Sequence, residues 1–143
     1  MSDTTTTPTD EQRIAAYVKW ASADADDLVV EGYNDDEVDG HRVLTDDEAD
    51  EVAKEYIEQS LWAFNASFLV AYLPDGVGEE VIEALQPQCE GANDAIRSMV
   101  GDRFDDLVAD AIGADGRGHF VSSYDGEEHE VDVDGVTFYI HRA

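Results

Sequence analysis

With eight lysines and arginines against 35 aspartates and glutamates, the surroundings of each cation are informative. Arg117 stands out. It lies in Asp115-Gly-Arg-Gly-His-Phe-Val-Ser-Ser-Tyr-Asp-Gly-Glu-Glu128, where glycines permit positive φ and close backbone approach. A guanidinium in such a loop can clamp a carboxylate or a phosphate through two parallel N–H···O bonds. Arg117, His119, Tyr124 and Asp125 are therefore the candidate binding residues of the loop, and set against a cleft they would form the site of a small enzyme. The competing reading is structural: Arg117 pairs with neighbouring acids while the glycines shape two turns. That reading is preferred, because turn residues by themselves carry no chemistry.

A second constellation is acidic. Asp47, Glu51, Glu55 and Glu58 fall at i, i+4, i+8 and i+11. On a helix they form one stripe with steps of roughly 4.5–6 Å along the axis, of the order of phosphate spacing along a strand. A cationic DNA-binding groove would accept such a stripe, which makes a DNA-mimic inhibitor of a host nucleic-acid-binding or defence protein one functional reading. Acids also crowd the N-terminal segment, the first loop, the last helix and the hairpin, and that dispersal fits adaptation to high salt better.

Other chemistry finds less support. Asp35, Glu37, Asp39, Gly40 and Asp46 match an EF-hand loop in part, but Arg42 stands where an aliphatic residue is normal and Asp46 is too short for the bidentate role. His119, His129 and His141 do not share a face, so no metal site is assigned. Ser122 and Ser123 near His119 lack a nucleophile elbow. Cys89 is alone, which excludes a disulfide framework and a cysteine zinc site. Asp102, Asp105, Asp106 and Asp110 lie on the polar side of an amphipathic helix. No phosphate loop or dinucleotide fingerprint occurs, and no cofactor is expected.

Composition narrows the class. The 143 residues are 43% apolar and include 13 large aromatics, enough for a packed core. The net charge of −27 leaves no basis for direct binding of a nucleic-acid backbone or an anionic membrane. Aspartate is favoured over glutamate and only Lys19 and Lys54 are lysines, a pattern of proteins built for molar salt, where the screening length falls to about 3 Å. Residues 1–10 read as a flexible Thr-rich acidic tail without signal-peptide character. The apolar run Leu61–Leu73 is too short to span a bilayer. A cytoplasmic location is expected.

The elements that must position these residues follow from periodicity. Glu11–Leu28 predicts a helix with Ile14, Tyr17, Val18, Ala21, Ala25 and Leu28 on one face, and Val29–Leu44 a loop. Thr45 and Glu48 form a capping box opening a long helix whose stripe Ala53, Ile57, Leu61, Phe64, Phe68 and Tyr72 runs to Leu73-Pro74. Helices are expected over 78–85, 90–100 and 102–112, with Gly113 and Gly116 closing the helical part. His119–Tyr124 predicts a strand. Asp134-Gly135 predicts a type I′ hairpin pairing Val133 with Val136, Val131 with Phe138 and His129 with Ile140. His141 and Glu128 then pair on the solvent face. The expected fold is α+β: a single domain over 11–143, about four helices (11–113) followed by a C-terminal antiparallel hairpin or small three-stranded sheet (118–142).

Three stretches carry a resemblance: Val43-Leu-Thr-Asp-Asp-Glu-Ala-Asp50, Ser60-Leu-Trp-Ala-Phe64, and Asp115-Gly-Arg-Gly-His-Phe120 running into Ser123-Tyr-Asp-Gly-Glu-Glu128 and Phe138-Tyr-Ile-His-Arg142. Together, over roughly residues 41–143, the chain resembles a family of small uncharacterised proteins of tailed bacteriophages and related mobile elements. The resemblance implies a virus-type accessory protein, here with added aspartate, in the cytoplasm of a high-salt host; it brings no activity or site residue with it. The reading is a non-enzymatic protein acting by protein–protein contact with a partner not yet identified.

Overall fold

Thr9 starts the first helix by a reciprocal cap: its hydroxyl accepts from the Gln12 N–H and the Gln12 side chain accepts from the Thr9 N–H. In the computed structural model, which describes residues 8–32, 35–122 and 125–143, helix α1 (Asp10–Ala21) ends at Ser22 in the left-handed conformation. It therefore stops short of the expected Leu28. The chain then forms β1 (Val30–Glu31), β2 (Glu37–Val38) and β3 (His41–Thr45), followed by α2 (Asp46–Gln59). After short α3 (Ala66–Leu69) come α4 (Glu79–Leu85), α5 (Asn93–Val100), α6 (Phe104–Asp115) and α7 (Arg117–Val121), and last β4 (His129–Val133) and β5 (Val136–Arg142). The fold is α+β.

The chain divides into two compact units. One comprises the described residues up to Glu51 together with Arg117–Ala143; the other is Val52–Gly116. In the first, the five strands form one antiparallel sheet in the order β1-β2-β3-β5-β4. The Asp134-Gly135 turn has positive φ at both residues (52° and 81°), as a type I′ hairpin requires. The resulting register is the expected one: Val133 opposite Val136, Val131 opposite Phe138, His129 opposite Ile140. Val131, Phe138 and Ile140 join Val38 and Val43 in a core that α1 covers with Ala16 and Tyr17.

Two expectations fail in this unit. Residues 29–44, expected as a loop, supply three strands; two of them are two residues long, too short for alternation to register. β3 takes the place beside β5, and the segment expected as a strand over 119–124 is instead helix α7 as far as Val121. Gly118 lets the following turn lie against this helix: a Cβ there would collide with the Gly126 carbonyl oxygen.

In the second unit, the long helix expected to run to Tyr72 breaks at Ser60. Asn93 satisfies both broken ends. Its Nδ2 donates to the Gln59 carbonyl at 2.5 Å, and its Oδ1 accepts from the Trp62 N–H at 3.0 Å. Phe64, Phe68 and Tyr72 still stack in sequence at 5.7 and 5.5 Å. Ile57, Leu61, Leu69, Ile82, Ile96, Phe104 and Leu107 are fully or almost fully buried. Helix α6 continues through Gly113 and stops at Gly116, whose φ is 87°.

Candidate functional site

Each nitrogen of the Arg117 guanidinium donates to a carboxylate. Its Nε and Nη2 donate to the two Glu128 carboxylate oxygens at 2.8 and 3.1 Å. Nη1 donates to Asp46 Oδ1 at 2.7 Å and Asp50 Oδ1 at 2.8 Å, and also to the Asp46 carbonyl. The guanidinium lies 4.5 Å over the Tyr139 ring, an orientation that adds cation–π attraction. Burial alone would make the guanidinium easier to deprotonate, but the bonds to Glu128, Asp46 and Asp50 outweigh it and hold the proton more firmly. Burial likewise raises the Glu128 carboxyl, and the bonds from Arg117 and His141 overcome that and keep it below its ordinary value.

His141 extends the chain of contacts. Its Nε2 lies 2.8 Å from Glu128 Oε2, so the pair expected from the hairpin register exists. Its surroundings are not those expected, however. His141 is fully buried rather than on a solvent face, because Arg117 and the Ser122 turn fold over this side of β5. The Ser122 hydroxyl anchors that turn by donating to the Arg142 carbonyl at 2.7 Å. Burial pushes His141 below its ordinary value, Glu128 pulls upward, and Arg117 and Arg42 push down again. The ring is thus neutral near pH 7, with Nε2–H donating to Glu128, and its Nδ1 has no hydrogen-bond partner among the described residues.

Of the remaining loop candidates, neither His119 nor Asp125 converges on Arg117. His119 is exposed on α7 and packs edge-on against Phe120. Asp125 is exposed and folded back on its own turn: its carboxylate accepts from the Glu127 N–H, and its own N–H donates to the Ser122 hydroxyl. Tyr124 lies outside the described residues.

Comparison with protein-family models, curated proteins and solved structures finds no match.

The acidic candidates sit where the periodicity puts them. Asp47, Glu51, Glu55 and Glu58 are all exposed on α2. Glu58 is engaged by Arg97 at 3.1 Å, whereas Asp47, Glu51 and Glu55 have no ion pair among the described residues. Asp46, Asp47 and Asp50 bring carboxylate oxygens within 4.8 Å of one another, a spacing a cation would tolerate, but Arg117 already neutralises two of them. The partial EF-hand match is not a calcium loop. Glu37 is in a strand rather than a coordinating loop, and Asp46 opens α2.

A second buried cation has no counterpart among the sequence candidates. Arg13, 4% exposed, donates to both Glu48 oxygens at 2.8 and 2.7 Å and to the Val43 carbonyl at 2.5 Å. Glu48 also completes the capping box with Thr45. Its carboxyl is raised by burial but more strongly lowered by Arg13 and Thr45. Arg13 has the helical spacing of Ala16, Tyr17 and Trp20, and that spacing was the available signal.

Proposed function

We propose that the protein is a non-enzymatic accessory protein that acts by contact with another protein bearing a cationic surface. The observation that carries this reading is the disposition of its cations. Arg13, Arg42, Lys54, Arg97 and Arg117 are in ion pairs with the chain's own carboxylates. Lys19 and Arg103 donate to its backbone carbonyls, and Arg142 also has a partner within the chain. With 35 acids and eight cations so committed, the surface offers a partner negative charge. A basic protein surface complements it, and association would be fast and salt-sensitive.

The narrower reading, a DNA mimic, draws on α2. Asp47, Glu51 and Glu55 project at successive steps of about 6 Å and remain unneutralised. Phage or mobile-element origin rests on the sequence resemblance, and high-salt adaptation on the dispersed aspartates. Arg117 lends no weight to an enzyme reading, because its three nitrogens are already bonded to carboxylates.

The test begins with capture of a partner from cells of the encoding organism at their native salt. The triple reversal Asp47→Lys, Glu51→Lys and Glu55→Lys is then titrated against that partner. Loss of binding, together with competition by duplex DNA for the wild type, supports the mimic. Binding that survives the reversal and ignores DNA removes α2 as the contact.

A further inference from the structure

Periodicity points Ile14, Val18 and Ala25 at the core, whereas α1 turns Arg13, Ala16 and Tyr17 inward. A partly exposed aliphatic stripe remains: Ile14, which also packs against the core, and Val18 are half-buried, and Ala15 and Ala25 are exposed. With Glu11 and Lys19 they line a shallow groove of about 460 Å³, at the small end of ligand-sized clefts. The one cation in its wall is turned to other use, since Lys19 Nζ donates to the Asp132 carbonyl at 2.6 Å. Glu11 remains at the rim, and Asp10, Asp24 and Asp26, exposed and next to lining residues in the chain, add to its charge.

We propose that this groove docks a basic amphipathic helix of a partner protein, whose aliphatic side chains seat on Ile14, Ala15, Val18 and Ala25 while its lysines and arginines face the acidic rim. The inference rests on the reading of the protein as a binder of cationic partners and adds the position and chemistry of the contact. Charge complementarity selects the occupant. A second copy of this chain would bring another net charge of −27 against the same rim. A neutral or acidic helix would gain nothing from it. Helix α1 has 12 residues, about 18 Å of axis, a length that three to four turns of a partner helix can follow. Acids spread over a whole surface speed encounter but do not fix a position; an aliphatic groove does.

The test uses the full chain and two synthetic peptides of about five helical turns with identical leucine and lysine content. In one, the leucines fall on a single helical face; in the other they are scattered. Both are titrated into ¹⁵N-labelled protein at low salt and at about 1 M salt, where charge attraction is screened but apolar contact persists. The expected result is that only the amphipathic peptide binds at high salt, with shifts centred on Ile14, Ala15, Val18 and Ala25. Val18→Asp should then weaken it by about tenfold or more, the loss of one buried aliphatic contact. Ala15→Gln, at an exposed helical position that tolerates it, should fill the groove and weaken binding in the same direction. If both peptides bind equally, only at low salt, with shifts along α2, the groove is overturned while the cationic-partner reading stands. If neither peptide binds at low salt, both fall. Concentration-dependent shifts at these residues without peptide would make the occupant a second copy and also overturn the proposal.

Discussion

Replacing Arg117 with methionine should destabilise the sheet-containing unit and flatten its pH response near neutrality. Arg117 is 11% exposed and its bidentate partner Glu128 is 24% exposed. Removing one member of a buried pair costs about 3–5 kcal/mol. Partial exposure of Glu128, and the His141 N–H it retains, reduce that to roughly 2–3 kcal/mol. The bonds to Asp46 and Asp50, both more than half exposed, add about 0–1 kcal/mol each. A loss of about 2–5 kcal/mol at neutral pH and low salt is then expected, a large part of the roughly 5–15 kcal/mol that holds a domain together.

The pH response separates this network from a generic loss of packing. In the wild type His141 is held below its ordinary value of 6.5. The unfolded chain therefore binds the proton first, and the stabilisation is complete above about pH 6.5 and lost as pH falls toward the folded-state value. Without Arg117, the Glu128 carboxylate has no cation beside it except a protonated His141. The folded-state value of His141 should then rise toward its ordinary value, because the repulsion from Arg117 is gone while burial and Arg42 still hold it down, and the stability lost on acidification shrinks. Urea denaturation midpoints at fixed ionic strength, measured between about pH 6 and pH 8, read this directly. Wild-type stability should fall toward pH 6, and that of Arg117→Met should fall by less. Parallel curves would refute the coupling of Arg117, Glu128 and His141.

Three further outcomes are expected. The melting temperature followed by circular dichroism should rise steeply from low salt to about 1 M, and a flat response would refute salt adaptation. Val131→Asp, which puts a carboxylate in the core of the hairpin, should abolish the near-UV signal or cost more than about 3 kcal/mol. Asp132→Val, on the exposed side, should change stability by less than about 1 kcal/mol. Arg13→Met should cost about 3 kcal/mol by leaving Glu48 and the Val43 carbonyl without their donor, with a urea midpoint that molar salt does not restore.

Local signals in this chain were legible and long-range ones were not. The hairpin register could be read because Asp134-Gly135 fixes the turn and the residues on either side alternate strictly. The α2 cap could be read because Thr45 and Glu48 are three residues apart. The break at Ser60 was hidden, since the side chain that satisfies it, Asn93, comes more than 30 residues later. The alternation around His141 showed which face it occupies, but not that α7 would cover that face. Arg117 was conspicuous as a rare cation among glycines, and its partner Glu128 is nearby in sequence. Asp46 and Asp50, about 70 residues away, carried no local sign of the contact.

The placement of the cations gives a physical rule for this sequence. Those with the least exposed side chains, Arg13 at 5%, Arg117 at 11% and Arg42 at 17%, each hold a carboxylate that is itself partly or wholly withdrawn from water: Glu48, Glu128 and Asp36. Such carboxylates are screened by dissolved salt much less than exposed ones. Acids on the exposed side of α2 are screened well, and there Asp47, Glu51 and Glu55 have no ion pair among the described residues. The least exposed cations are thus placed where salt acts least, and negative charge is left where it acts most. Lys54 at 42% and Arg97 at 37% are more exposed, but both flank the ring of the buried Phe104, so their stems and charge also serve packing. The anionic surface is then the remainder after the fold has met its own electrostatic needs, and a cationic partner would meet that remainder without competing for any internal pair.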